Sequence, residues 1–262
     1  LLIPLLLFMM LPARIAAAPD TAKIIFTFDD GWLDTYTYAY PLLDAAGYKG
    51  TVYVCRDLSI GTHPEIMRPD QIKALYDAGW DISNHTTNHR AYGNPSSELP
   101  DATTDLNVMH EIYLENQNWI INNFGWRGAF HVAYPSGMYA QILIDEVLKK
   151  TGAMTGRLAE TEGTQQTPVV DPADYYELPV YPLESDNDAR DVATASINAA
   201  IAEGSSVIFM IHRVMPDEGD LVLTTADFQY IIDYIGARSG QVEVMTMSQW
   251  YNEASTTPET PA

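Results

Sequence analysis

Apolar residues along the chain follow one of two spacings. Compact runs rich in β-branched and aromatic residues predict strands: KIIFTF (23–28), GTVYVC (50–55), WDIS (80–83), GAFHVAYP (128–135), AMTGRLA (153–159), YELPVYPL (176–183), SVIFMIH (206–212) and VEVMTM (242–247). Between these runs apolar residues recur at helical spacing, near 35–46, 69–78, 103–124, 138–150, 189–203 and 225–238. Pro69-Asp70 and Gly79 mark the start and stop of one such helix. Strand and helix alternating on this scale predict parallel strands joined by crossover helices. No internal repeat and no Pro/Gly-rich linker interrupts residues 20–250, which favours a single barrel-like α/β domain over two domains. An open doubly wound sheet fits the same alternation.

The two ends depart from this pattern. The opening run LLIPLLLFMMLP is apolar but too short to span a bilayer as a helix, and the small residues of ARIAAAPD follow it. A partial signal peptide over 1–18 is therefore expected, with a buried first helix as the alternative. The catalytic-size domain is expected over 20–251. The closing stretch 252–262, rich in Ser, Thr, Pro and Glu, predicts a solvated tail. Together these features predict a secreted or cell-surface protein with no stable membrane span in its mature form.

Charge narrows the partners. There are 35 acidic residues against 14 Lys and Arg, a net charge of −21. Such a surface repels nucleic acid and anionic membranes, and it makes an anionic polymer a poor substrate unless a local basic site overrides it. Cys55 is the one cysteine, so no intrachain disulfide forms, and its apolar setting predicts a buried, inert thiol.

Candidate chemistry collects at the carboxyl ends of the predicted strands. Asp29 and Asp30 close the first strand and precede Gly31, which permits a tight turn. Taken alone, the pair also reads as a helix cap and turn. After the third strand, His85 and His89 stand four residues apart, where a helical turn brings two imidazoles to one face to grip one ion. With a carboxylate from the Asp pair they form a three-donor set suited to a divalent metal, zinc foremost and cobalt, manganese or nickel also open. Pro135-Ser136-Gly137 after the fourth strand predicts a sharp turn whose backbone N–H groups can face an oxyanion. His212, just past the seventh strand, suits a general acid. His63, His110 and His131 carry no assigned role.

Taken together, these motifs resemble the polysaccharide deacetylases, the family 4 carbohydrate esterases, from about Lys23 to Trp250. The T-F-D-D-G and H-T-T-N-H pair, in this order, carries the resemblance. It implies a distorted (β/α) barrel of about seven parallel strands. It implies Asp29 as general base, Asp30, His85 and His89 as metal ligands, and His212 as general acid. Tyr134-Pro135-Ser136 resembles the third motif, which puts these residues and Met210 on the substrate side; the Ser136 N–H would face the oxyanion, and Met210 takes the place of a Leu lining an acetyl pocket. The third motif lacks the arginine that often orients the catalytic Asp, and Arg157 is the candidate for that charge among the substrate-side residues. Asp186 and Asp188 lie near the expected place of the fourth motif. The resemblance implies removal of N-acetyl groups from an acetylated carbohydrate of N-acetylglucosamine type. O-acetyl ester hydrolysis on acetylated xylan and non-catalytic carbohydrate binding on the same scaffold are the alternatives. The intact set of Asp29, Asp30, His85, His89 and His212 argues against the last.

Overall fold

A computed structural model describes residues 21–159, 175–184 and 188–256 of the 262-residue chain. The expected leader over 1–18, Asp186 and the last residues of the expected tail lie outside the described residues. The first half comprises β1 (Ala22–Phe28), a π-helical turn (Thr35–Ala39) continuing into α1 (Tyr40–Ala45), β2 (Thr51–Val54), α2 (Arg56–Ile60), α3 (Pro69–Asp77), β3 (Asp81–Asn84), α4 (Leu106–Asn123) and β4 (His131–Ala133). There follow a 3-10 turn (Pro135–Gly137), α5 (Gln141–Leu143), a π-helical turn (Ile144–Leu148), α6 (Lys149–Thr151) and β5 (Thr155–Arg157). The chain continues through β6 (Tyr181–Pro182), α7 (Ala189–Glu203), β7 (Ser206–Ile211), β8 (Arg213–Met215), β9 (Val222–Thr224), α8 (Thr225–Gly236), β10 (Val242–Met245) and α9 (Met247–Thr256). Helix α9 carries the chain into the stretch expected to be tail.

The main sheet runs β5-β4-β3-β2-β1-β7-β6, every pairing parallel, and β10 pairs with the lower part of β1. The seven-strand path curls into a distorted α/β barrel. Its two edges meet through the segment 175–183, which changes partner along its length. Tyr175 O accepts from Gly156 N at 2.7 Å, and Leu178 O from Leu158 N at 2.9 Å, on the β5 side. A few residues later β6 pairs with β7, and Leu183 N donates to Met210 O at 2.9 Å.

Side chains alternate across the strands, and this alternation places the site. Ile24, Phe26, Phe28, Val52, Val54, Ile82, Phe209 and Ile211 face outward into the core beneath the helices. Ile25, Tyr53, Ala133, Ile208 and Met210 face the barrel interior with Met247 and Trp250 of α9. The same parity turns Thr27 and Asp29, Ser83 and His85, Arg157, and His212 inward. Helix α9 plugs the amino-terminal end. Asp81 Oδ2 accepts from Ser248 N at 2.7 Å, Thr51 Oγ1 from Met247 N at 3.0 Å, and Trp250 Nε1 donates to Ser206 Oγ at 2.9 Å. His131 is sealed inside near this plug, 3.0 Å from Thr155 Oγ1 and with its ring against Tyr251. With one end closed, the mouth at the strands' carboxyl ends is where polar side chains reach solvent. No described helix is long and apolar enough to cross a membrane.

Candidate active site

Asp30, His85 and His89 converge at that mouth, with their donor atoms within 4.8 Å of one another. Both imidazole Nε2 atoms stand 3.4 Å from the same carboxylate oxygen, Asp30 Oδ1. His85 Nδ1 lies 2.9 Å from Ala133 O. A carbonyl only accepts, so Nδ1 carries the proton, and in the neutral ring Nε2 turns a lone pair towards Asp30. Asp30 Oδ1 is buried and accepts no hydrogen bond among the described residues, while Oδ2 accepts from Trp32 Nε1 at 3.1 Å. Lone pairs crowded around a buried anion without a donor between them are an arrangement that a bound cation would relieve. The donor set, two neutral imidazoles and a carboxylate, fits a divalent metal ion.

The electrostatics agree with that fit. Burial works to raise the Asp30 pKa, but the facing imidazole of His85, then those of His89 and His212, outweigh it and hold the group well below the usual carboxylate range. Burial, then the neighbouring His85, lowers His89 to about 4 against the pull of Asp30 and Asp29. His89 is therefore neutral, as a ligand must be, across the physiological range.

The backbone is bent to make this cluster. Asp30, Gly31, Thr86, His89 and Ser136 all have positive φ. Left-handed backbone is costly for residues with a Cβ and persists where surroundings enforce it. Here the expected helical turn is corrected. His85–His89 form a non-helical turn, because Thr86 at φ 64 breaks the right-handed path. The two rings nevertheless meet at 4.8 Å. Asn84 braces the turn, accepting from Thr86 N at 3.0 Å and from Asn116 Nδ2 of α4 at 2.9 Å.

Asp29 lies beside this cluster, 3% exposed, its Oδ1 paired to the Arg157 guanidinium. Arg157 is wholly buried, donates from Nη1 to Leu158 O at 2.8 Å and packs over the Tyr53 ring. It touches no solvent, so the substrate-side place expected for it is corrected to one beneath Asp29. Just past β7, the strand paired with β1, His212 Nδ1 is 3.4 Å from Glu184 Oε1. Burial disfavours its charge, but Glu184 and the charges of Asp29 and Asp30 prevail and raise its pKa above the ordinary value.

The third-motif residues divide. Ser136 is solvent-facing within the 3-10 turn, where N–H groups at a helical start have no partner inside the turn. Pro135 is buried. Tyr134 is corrected: its parity turns it outward, 1% exposed, stacked on Tyr139 and donating to Tyr176 O at 2.9 Å. Its ring supports the turn and does not face the mouth. Met210 is buried in the inner cluster under the site. Asp188 opens α7 in left-handed geometry and makes no link to His212.

Two residues at the mouth were not singled out from sequence. Glu184 follows β6 in YPLESD, a carboxylate one step past an apolar strand, the signal that had marked Asp29. Trp32 donates to Asp30 and lies under the Arg213 guanidinium, which Asp34 holds at 2.8 Å.

A parallel barrel that gathers carboxylates and imidazoles at the carboxyl ends of its strands has the architecture of an α/β-barrel enzyme. Comparison makes the class specific. The profile of the polysaccharide deacetylase family matches residues 16–156, and the chain belongs to that family, whose activity is hydrolytic. The Bacillus subtilis (strain 168) protein YxkH, named for the same family, is 28% identical over 143 residues. That match covers 54% of this chain and 46% of YxkH, so it spans about half of that relative. A Mycobacterium smegmatis structure named for the family superposes with a TM-score of 0.66 at 18% identity, covering 94% of this chain and 97% of the other. A family 4 acetyl xylan esterase from Clostridium thermocellum, in complex with a cobalt ion, gives a TM-score of 0.54 at 15% identity, covering 90% and 93%. At these identities the structural likenesses establish the fold.

Proposed function

We propose that the protein is a metal-dependent deacetylase that removes N-acetyl groups from a carbohydrate of N-acetylglucosamine type, outside the cytoplasm. The observation that carries this is the meeting of three features in one mouth: an orphaned carboxylate oxygen between two imidazoles, an arginine-held Asp29, and a glutamate-backed His212. Asp30, His85 and His89 would hold one divalent ion, zinc by donor type, which supplies Lewis-acid polarisation of a carbonyl and lowers the pKa of water.

The chain's own groups supply the rest. Asp29, held in place by Arg157, takes a proton from the attacking water. The Ser136 N–H faces the oxyanion that grows on the former carbonyl oxygen. His212, whose Nδ1 faces Glu184, gives the proton on Nε2 to the departing nitrogen, because an amide nitrogen does not leave as a free anion. Met210 floors the space for the acetyl methyl. The products are acetate and a free amine.

The test is acetate release from N-acetylglucosamine oligomers and from acetylated xylan, with chelator and with added zinc, cobalt, manganese or nickel. Metal-restored release from the N-acetyl substrate is expected. Release from xylan alone would favour O-acetyl ester hydrolysis. Full activity of protein shown metal-free by elemental analysis would remove the metal from the reaction.

A further inference from the structure

Beside the candidate metal cluster lies a cavity of about 340 Å³ that the steps above do not use. It is lined by Asn88, His89, Arg90, Glu98, Asp101 and, on its apolar side, Leu99 with its neighbours. One wall is thus shared with a metal-ligand candidate, which sets the cavity next to the catalytic mouth.

The cavity belongs to a built loop. Residues 86–104 leave β3 and return to α4, and the excursion is pinned where Tyr92 bridges Thr103. Thr103 N donates to Ala91 O at 3.1 Å and Gly93 N to Thr103 O at 3.0 Å. Ser96 and Leu99 exchange a turn, with Leu99 N donating to Ser96 Oγ at 3.0 Å. Its lining is polar and unspent. Arg90 forms no ion pair among the described residues although Glu98 and Asp101 line the same space, and its Nε is buried without a hydrogen-bond partner. A buried donor left unpaired is costly, and a ligand acceptor relieves that cost.

The chemistry of the lining selects the ligand. A guanidinium, two carboxylates and a carboxamide are planar groups that each engage two neighbouring oxygens, which suits the vicinal hydroxyls of a sugar ring. One cation against two anions, in a chain of net charge −21, disfavours a ring bearing a carboxylate. The volume is near the lower end of ligand pockets, roughly 300–1,000 Å³, and suits one ring rather than several.

We infer that this cavity is a subsite for a second, uncharged sugar ring, linked to the ring whose acetyl group meets the catalytic residues, with Arg90 and Asp101 as its specificity determinants. The inference rests on the acetylated-glycan reading above. Its test compares KM and kcat for acetate release from N-acetylglucosamine, from its β-1,4-linked dimer, and from a disaccharide in which a uronic acid replaces the second ring. The wild type, Arg90→Met and Asp101→Asn are measured, each with metal content and thermal midpoint checked. In the wild type KM should fall on going from one ring to the neutral dimer and not to the uronic disaccharide. Each variant should raise KM for the neutral dimer about tenfold, the scale of one charged hydrogen bond, with kcat little changed, so that the advantage of the second ring is lost. An unchanged length dependence in both variants, in a wild type that deacetylates these substrates, would overturn the subsite alone. A greater gain from the uronic ring would overturn the charge assignment and with it the proposal. A metal-loaded wild type that releases no acetate from any of the three would overturn the glycan reading and the subsite together.

Discussion

Asp29 and Asp30 are neighbours in sequence with opposite surroundings: Asp29 sits on a buried guanidinium, whereas Asp30 Oδ1 faces two imidazole nitrogens and no donor. Their isosteric variants should therefore fail differently. Asp29→Asn is expected to keep metal content near normal while the rate falls roughly 10²–10⁴-fold, the usual worth of a general base. Asp30→Asn should instead lose metal, read by elemental analysis of dialysed protein. The reverse pattern would exchange their roles. Glu184 allows a pH test. It helps raise the His212 pKa, so His212 stays protonated to higher pH than an ordinary imidazole. Activity that needs the protonated acid is then present at low pH and lost as pH rises through that raised value. Glu184→Gln removes a charge that favours imidazolium, and the alkaline limb of the kcat/KM profile should move to lower pH. An unmoved limb with metal fully bound would detach Glu184 from the acid.

Among the elements, α9 shows what holds the barrel. Trp250 is 4% exposed, fills the inner cluster and spends its N–H on Ser206. Trp250→Ala should cost about 3–5 kcal/mol, the range for deleting a large buried aromatic, measured by denaturant unfolding. A cost below about 1 kcal/mol would mean that α9 is not a structural plug. Most of the strands and long helices were legible, because both periodicities report which face is buried. Asp29, His85 and His212 were legible as well, since each stands just beyond an apolar run. What escaped was set by tertiary contacts. The turn at His85–His89 is not helical because Asn84 and Asn116 hold it otherwise, and β6 keeps two paired residues of a longer apolar run because that run serves two neighbours. The short α2 and the β8–β9 pair have too few residues to show a period. Tyr134 belongs to a motif that points to the substrate side, but strand parity turns its ring the other way.

At the scale of the molecule, charge and one buried imidazole set the response to solution conditions. With a net charge of −21 the folded chain repels itself, so raising ionic strength from about 0.01 M to 0.15 M, which shortens the screening length from about 30 to 8 Å, should raise the thermal midpoint. An unchanged or lower midpoint would show that local pairs, not net charge, dominate. His131 acts on acid. Burial lowers its pKa from 6.5 to about 4, so in that interval the unfolded chain binds a proton that the folded chain refuses. Its contribution to stability is complete above about 6.5 and drains away as pH falls towards 4. His131→Gln should flatten the thermal midpoint against pH in that window; an equal slope in both proteins would place the acid sensitivity elsewhere. The segment that closes the barrel has a consequence of another kind. Its early residues are stitched to the strand bearing Arg157, and its later residues to the strand leading to His212, with Glu184 immediately beyond. It is therefore a ruler laid between the arginine that holds Asp29 and the glutamate that backs His212. The number of residues between Leu178 and Glu184 sets the gauge of the machine, and a one-residue insertion there would leave every catalytic side chain present while putting the two sides out of step.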